Sequence, residues 1–308
     1  MTETLRELVA AELAEPVDGR VEAMAAAIAA LYPRAARAVL FYGSCLRSTE
    51  LKGQMLDFYL IVSDYRAAYG KSWMAAANRL IPPNVFPFEH HGLAAKYAVL
   101  SEADFHRLCG REAETISVWA RFSQPSRLVW SADEAAREKA VAAIAQAAPT
   151  ALQAARPMVP DALDDPLELW RTALALTYGA ELRAERHGRS ASVVDSDPDR
   201  YRRFSGPAVE AAGLGSVEQG KLVLKPLARA ERLRGEREWR KRRRKGKALS
   251  ALRLVKASGT FAGGIDYLAW KINRHAGTQI RIAPWQRRWP LLAAITLLPR
   301  LLKRGAVR

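Results

Sequence analysis

The sequence predicts a mixed α/β fold: an N-terminal sheet flanked by helices, a helical second domain, and a basic amphipathic C-terminal region. Three observations carry this. First, two short runs, Val39–Tyr42 and Leu56–Val62, are apolar throughout except for Asp57 and rich in aromatic and β-branched residues. Strands covered on both faces have that composition. Second, apolar residues recur at helical spacing on either side of them, at Leu5, Leu8, Val9 and Leu13, and again at Leu169, Ala173, Leu176 and Ala180. Third, the net charge of +16 is uneven, with the first third near balance and the segment after Arg229 heavily basic.

With 308 residues, 49% of them hydrophobic, the chain can build a real core and has room for two domains. A pI near 10.2 points to an anionic partner: nucleic acid, a phospholipid surface or a polyphosphate substrate. Two cysteines, Cys45 and Cys109, support no disulfide framework and suit a reducing compartment. The N-terminus, MTETLRELVAAELAEP, is acidic and amphipathic. It has neither a basic n-region nor a cleavable apolar region, so no secretory or transit signal is expected. The Ala/Arg bias suggests a GC-rich bacterial source, and no internal repeat is found.

In chain order, Thr4–Leu31 reads as two helices broken at Glu15-Pro16, and Pro33 leads into the first strand. After Asp64 a Tyr-rich polar stretch, Tyr65–Lys71, precedes a helix from Ser72, a suitable N-cap, to Leu80; Pro82-Pro83 ends it. Leu93–Leu100 reads as a strand carrying one cation, Lys96. Ser101, with Glu102 and Asp104 in the first turn, starts a helix that runs to Cys109. Thr115–Phe122 reads as a helix and Ser126–Trp130 as a short strand.

Ala132–Ala155 is an Ala-rich helical pattern, Pro157–Asp165 a linker and Leu167–Arg186 a strong helix. Ser190–Arg203 looks polar and turn-rich, and Ala208–Arg229 mixed, with glycine breaks. Arg234–Lys247 is a block of like charge, and Arg253–Gly264 a short apolar segment. Asp266 caps a helix to about His275, stopped by Gly277. The expected division is a first domain over 1–131, a helical second domain over 132–230 and a basic region over 231–308.

The stretch that organises the chain is Ala38–Asp64: strand, Gly43-Ser44, spacer, strand. A carboxylate at the head of an apolar strand is costly if buried alone. Asp57 is therefore expected at a strand end, facing a cleft, with a cation or donor opposite. The Gly43-Ser44 turn offers backbone N–H groups and a hydroxyl, which suit an anionic phosphate. Together these resemble the nucleotidyltransferase (polymerase-β-like) site, where Gly-Ser holds a triphosphate and Asp on the next strand holds Mg²⁺. The plainer alternative is an ordinary hairpin with Gly43 in the turn and Asp57 at a strand edge.

Four places extend the likeness. Tyr42-Gly43-Ser44, the Met55-Leu56-Asp57-Phe58 strand, the Lys96–Ser101 segment with the Trp119 region leading to Pro125, and Leu174–Arg183 match in order and spacing across roughly residues 38 to 190. In these the chain resembles the mitochondrial-type phosphatidate cytidylyltransferases, the translocator-assembly-and-maintenance family. The resemblance implies a nucleotidyltransferase domain, a winged-helix-like second domain, and an Mg²⁺-dependent peripheral membrane enzyme of phospholipid biosynthesis at the cytoplasmic face of a bacterial membrane. It would join CTP to phosphatidate to give CDP-diacylglycerol and pyrophosphate. It further implies Asp57 as metal ligand, Gly43 and Ser44 on the β/γ-phosphates, Lys96 as a neutralising cation, and Tyr178 and Arg183 on substrate.

The chain also departs from the family. Cys45 stands where a small residue is preferred, and the segment after Asp64 lacks the expected His-rich pattern. Tyr59 stands where many nucleotidyltransferases carry a second Asp, although the resembled family also lacks an acid there. Asp64 and Glu50 are the candidate second metal ligands. Lys96 could equally be a snorkelling edge lysine, and Tyr178, Glu181 and Arg183 a helix-end salt-bridge cluster. His90-His91, His106 and Cys109 fit no zinc spacing.

In the tail, Leu291–Leu298, including Leu297 and Leu298, is apolar but lies between Pro290 and Pro299, too short to span a bilayer. Trp285, Arg287, Arg288 and Trp289 flank it, as in an interfacial segment on anionic lipid; a terminal helix packed on the core is the alternative. Arg234–Lys247 would suit lipid or RNA, or be a solvated loop, with nucleic acid the less favoured partner. Two rival functions remain: an RNA-directed nucleotidyltransferase, and a non-catalytic lipid- or nucleic-acid-binding protein on the same scaffold.

Overall fold

The computed structural model describes residues 3–47, 50–70, 72–180, 193–260 and 282–284. Two helices open the chain, α1 (Leu5–Leu13) and α2 (Gly19–Ala30). Thr4 and Glu7 form a capping box at the start of α1, and Asp18 caps α2 by accepting from the Arg20 N–H. Strands β1 (Ala36–Tyr42) and β2 (Met55–Val62) follow, joined by a 3-10 turn at Ser44–Arg47 and a short loop. Then come α3 (Tyr65–Tyr69), α4 (Ser72–Leu80), the hairpin β3 (Asn84–His90) and β4 (Leu93–Ser101), α5 (Glu102–Cys109), α6 (Trp119–Phe122) and β5 (Ser126–Ser131).

These strands form one mixed sheet in the order β3-β4-β2-β1-β5. β2 and β4 are parallel; the other neighbours are antiparallel. Side chains alternate between two cores, as the pleat requires. Val39, Phe41, Phe58, Leu60, Tyr97 and Val99 face α2. Leu40, Tyr59, Ile61, Ala98 and Leu100 face the larger cluster, which runs on through α1, α5 and α6 into the second half of the chain.

β3 is a strand that its sequence does not announce. It is an edge strand with Pro87 and Glu89 exposed, and edge positions tolerate Pro because no ladder partner needs its missing N–H. The hairpin turn, His91-Gly92, has positive φ at both residues (47° and 74°), the backbone of a two-residue turn that matches strand twist. The Thr115–Phe122 reading narrows to α6.

The second half holds α7 (Glu134–Ile144), α8 (Ala147–Ala155), β6 (Ala162–Leu163), α9 (Leu167–Tyr178), α10 (Pro198–Ala211) and the hairpin β7 (Gly215–Glu218) and β8 (Lys221–Leu224). The three short strands make a second antiparallel sheet in the order β6-β8-β7. The expected boundary after residue 131 falls at the start of α7, which packs on α5, α1 and β5 and so sits with the first sheet. A buried ion pair ties the halves together. Arg200 on α10 donates to both carboxylate oxygens of Glu12 on α1, at 2.6 and 3.1 Å, and to the Ser123 carbonyl at 3.1 Å.

Two readings of this half are corrected. The turn-rich stretch Ser190–Arg203 is helical from Pro198 onward, with Asp197 as N-cap and Pro198 in the first turn, where a proline loses nothing. The basic block is not a loop either: it lies within α11 (Arg229–Thr260). Trp239 is buried and its indole N–H donates to Ala154 O at 2.6 Å. Gly235 meets Pro157, and Gly246 meets the Ala180 carbonyl, so closely that a methyl group at either position would overlap them. No described helix is long and apolar enough to cross a membrane.

Candidate functional site

The site candidates meet at one end of the central strands. Tyr42, the last residue of β1, pairs with Asp57 on β2, and Asp57 pairs in turn with Lys96 on the parallel strand β4. All three positions share the pleat face of Leu40, Tyr59 and Ala98, so they look towards the larger core and α6. The apolar residues further along β2 and β4 fix that register; a slip of one residue would turn Leu60 and Val99 out of their core.

Lys96 Nζ lies 2.8 Å from Asp57 Oδ1, with both side chains about one-quarter exposed (29% and 21%). The same Oδ1 is buried and takes no aligned hydrogen bond among the described residues. The contact is thus a close ion pair whose carboxylate keeps lone pairs uncommitted. Gly43 closes over this carboxylate. Its φ is +95°, and a Cβ there would lie 3.3 Å from Asp57 Oδ2; glycine is suited to a turn this close and this strained. Ser44 is exposed at the first position of the 3-10 turn. Cys45 behind it is buried, with Sγ 3.6 Å from Met55 O, a small packing group under the turn.

Aromatic rings wall the inner side. Tyr59, 2% exposed, packs 5.3 Å from the Tyr42 ring and 5.2 Å from Phe122 on α6. Its ring is embedded in the core. Arg121, beside Phe122 on α6, hydrogen-bonds the Tyr42 hydroxyl and donates to Ser117 O. Burial pushes the Tyr42 hydroxyl well above its usual range, and the Asp57 charge adds to this, while Arg121 opposes it. Tyr42 therefore stays protonated, a neutral donor beside the carboxylate. Arg121 was not singled out from sequence. Nothing local marks it, because a four-residue helix has no periodicity to read.

The other candidates lie elsewhere. Asp64 sits past the far end of β2, roughly 20 Å along the strand from Asp57 by strand rise. Its Oδ1 accepts from the Arg66 and Ala67 N–H groups at 2.8 and 2.9 Å, so it is the cap of α3 and does not share a metal with Asp57. Glu50 is exposed in the loop before β2. Tyr178 ends α9, half-buried against the larger core. His90 ends β3 and His91 lies in the β3–β4 turn, His106 contacts Gln146, and Cys109 is buried in the core. Among the described residues no group of three His, Cys, Asp or Glu could hold a metal. Glu181, Arg183, Trp285, Arg287, Arg288, Trp289, Leu297 and Leu298 lie outside the described residues.

The arrangement offers one carboxylate with free lone pairs, one ammonium, a glycine turn and a phenol, all at a strand end. No protein-family model and no curated protein matches the chain.

Proposed function

We propose that this is a phosphatidate cytidylyltransferase, a nucleotidyltransferase that joins CTP to phosphatidate with release of pyrophosphate. The observation that carries the reading is the convergence of Gly43, just past β1, Asp57 on β2 and Lys96 on β4 at one end of one sheet face. In the second half, the order α8, β6, α9, α10, β7, β8 with a terminal hairpin supports a winged-helix-like reading of that unit.

The reaction moves two anions together. A phosphatidate oxygen forms a bond to the α-phosphorus of CTP, the α–β bridging P–O bond breaks, and its electrons leave with pyrophosphate. The nucleophile is already charged, so positioning and charge stabilisation dominate. Gly43 and Ser44 hold the β/γ-phosphates with a backbone N–H and the hydroxyl. Lys96 offsets negative charge on the transferring group. Tyr42 and Arg121 brace the wall behind them.

Mg²⁺ is usually held by one or two carboxylates together with substrate phosphates and water, not by a cage of protein groups. The Asp57 carboxylate, ion-paired to Lys96 and with no group of three metal-binding side chains around it among the described residues, fits an ion that arrives with the nucleotide. When bound, the ion would neutralise phosphate charge.

The test uses purified protein, Mg²⁺, each of the four nucleoside triphosphates and a short-chain soluble phosphatidate, with Asp57→Asn alongside. Pyrophosphate release and a CDP-lipid mass are read. CTP-selective turnover that falls on the order of 10³-fold in the variant is expected. No turnover with any nucleotide defeats the reading.

A further inference from the structure

We infer that the outer face of α11, together with the apolar edge where α11 meets α4, is a docking surface for an anionic phospholipid bilayer. This deepens the proposed function by naming the surface that meets the lipid, and the part concerning α11 stands without the chemistry.

The first observation is charge. α11 carries thirteen Lys and Arg against three Glu. The face that packs is defined by Gly235, Trp239, Gly246 and Arg253. At 100° per residue these fall together. Arg237, Arg240, Lys241, Arg244 and Lys247 are exposed and cover the opposite half, with exposed Arg243 on its flank. No acidic residue follows Glu238 in the helix. The cations are therefore a rigid stripe, about 15 Å long by helix rise, held outward by the packing on the other side.

The second observation is apolar exposure at the end of that stripe. Arg253 donates to Pro82 O at 2.9 Å, and Lys256 to Ile81 O and to Pro83 O, the latter at 2.8 Å. Beside this junction Leu80 is 79% exposed and Leu252 49%, and Trp73, two turns earlier on α4, is 54% exposed. Leu252 lies about three turns beyond Lys241 and shares its side of α11. A polyphosphate backbone gives an exposed leucine nothing to bind. A bilayer interface takes aliphatic and indole groups at the acyl boundary while cations meet the headgroups. That pairing favours lipid over RNA.

A chain of hydrogen bonds links the junction to the candidate site. Arg253 donates to the Ser117 hydroxyl, and the Ser117 carbonyl accepts from Arg121, which bonds Tyr42.

The experiment is co-sedimentation of the full chain with phosphatidylcholine vesicles, with and without phosphatidylserine, across a salt series and without nucleotide. One variant carries Arg240→Glu, Arg243→Glu, Arg244→Glu and Lys247→Glu; the other carries Trp73→Ser and Leu80→Ser. All six positions are on the surface, and unchanged melting curves verify folding. Expected is binding to anionic vesicles only, weakened on the order of 1,000-fold in the charge variant. Removing the apolar pair should abolish the fraction that resists high salt. Equal vesicle binding by wild type and charge variant overturns the inference. So does salt-sensitive binding of single-stranded RNA with no vesicle binding. Vesicle binding without CTP turnover defeats only the proposed function; turnover on soluble phosphatidate without vesicle binding defeats only this inference.

Discussion

Asp57 and Lys96 occupy directly paired positions on the parallel strands β2 and β4, and their charged groups meet at 2.8 Å. The lysine thus balances the carboxylate's charge. Lys96→Met should lower turnover on the order of 10²-fold. Thermal melts in CTP, with and without Mg²⁺, separate the two roles. The metal should stabilise the variant more than the wild type, because no ammonium then competes for Asp57.

Gly43→Ala should do two kinds of damage. A non-glycine residue at φ +95° costs roughly 1–2 kcal/mol, and the new methyl presses on Asp57 Oδ2. Gly53→Ala is the control: φ there is +75°, with nothing within 4 Å of the added carbon. Urea midpoints should fall in both variants, while turnover should fall only at Gly43.

The Glu12–Arg200 pair is almost fully buried, at 5% and 6% side-chain exposure. Arg200→Met alone strands a carboxylate and should cost about 3–5 kcal/mol. Glu12→Leu with Arg200→Met should recover most of that. A double variant as unstable as the single one would show that the pair does more than neutralise itself.

Burial, with the Arg253 charge second, pulls Lys256 down from 10.5 to about 7. Between those values the unfolded chain holds a proton that the folded chain has released. Stability from this group therefore rises with pH from about 7 towards 10.5; below 7 both states carry the proton and the contribution stays at its lowest. Urea midpoints at pH 7 and about pH 9.5 should show a gain on the order of 2 kcal/mol in wild type that Lys256→Met lacks.

Much of the first sheet was legible because its inner strands are apolar on both faces, and Ser101 announced α5 by its cap. β3 was not, since an edge strand with Pro87 and Glu89 outward lacks that signal. α11 hid for a related reason. Among its described residues only Trp239 is buried, and its close contacts elsewhere are made by two glycines, which leave no apolar stripe amid the charge. At the site, the demand that Asp57 face a cation was readable from cost alone. That the cation is Lys96 depends on strand register, and the part played by Arg121 on a contact between α6 and β1; neither is written in local pattern.

The Glu12–Arg200 contact spans 188 residues, and so it has a consequence in time. During synthesis at roughly 5–20 residues per second, Glu12 is made early and waits on the order of ten seconds or more for its partner. Until then α1 has no counter-charge for the acid on its buried side. The N-terminal helix can therefore settle into its final seat only after about two-thirds of the chain has been made.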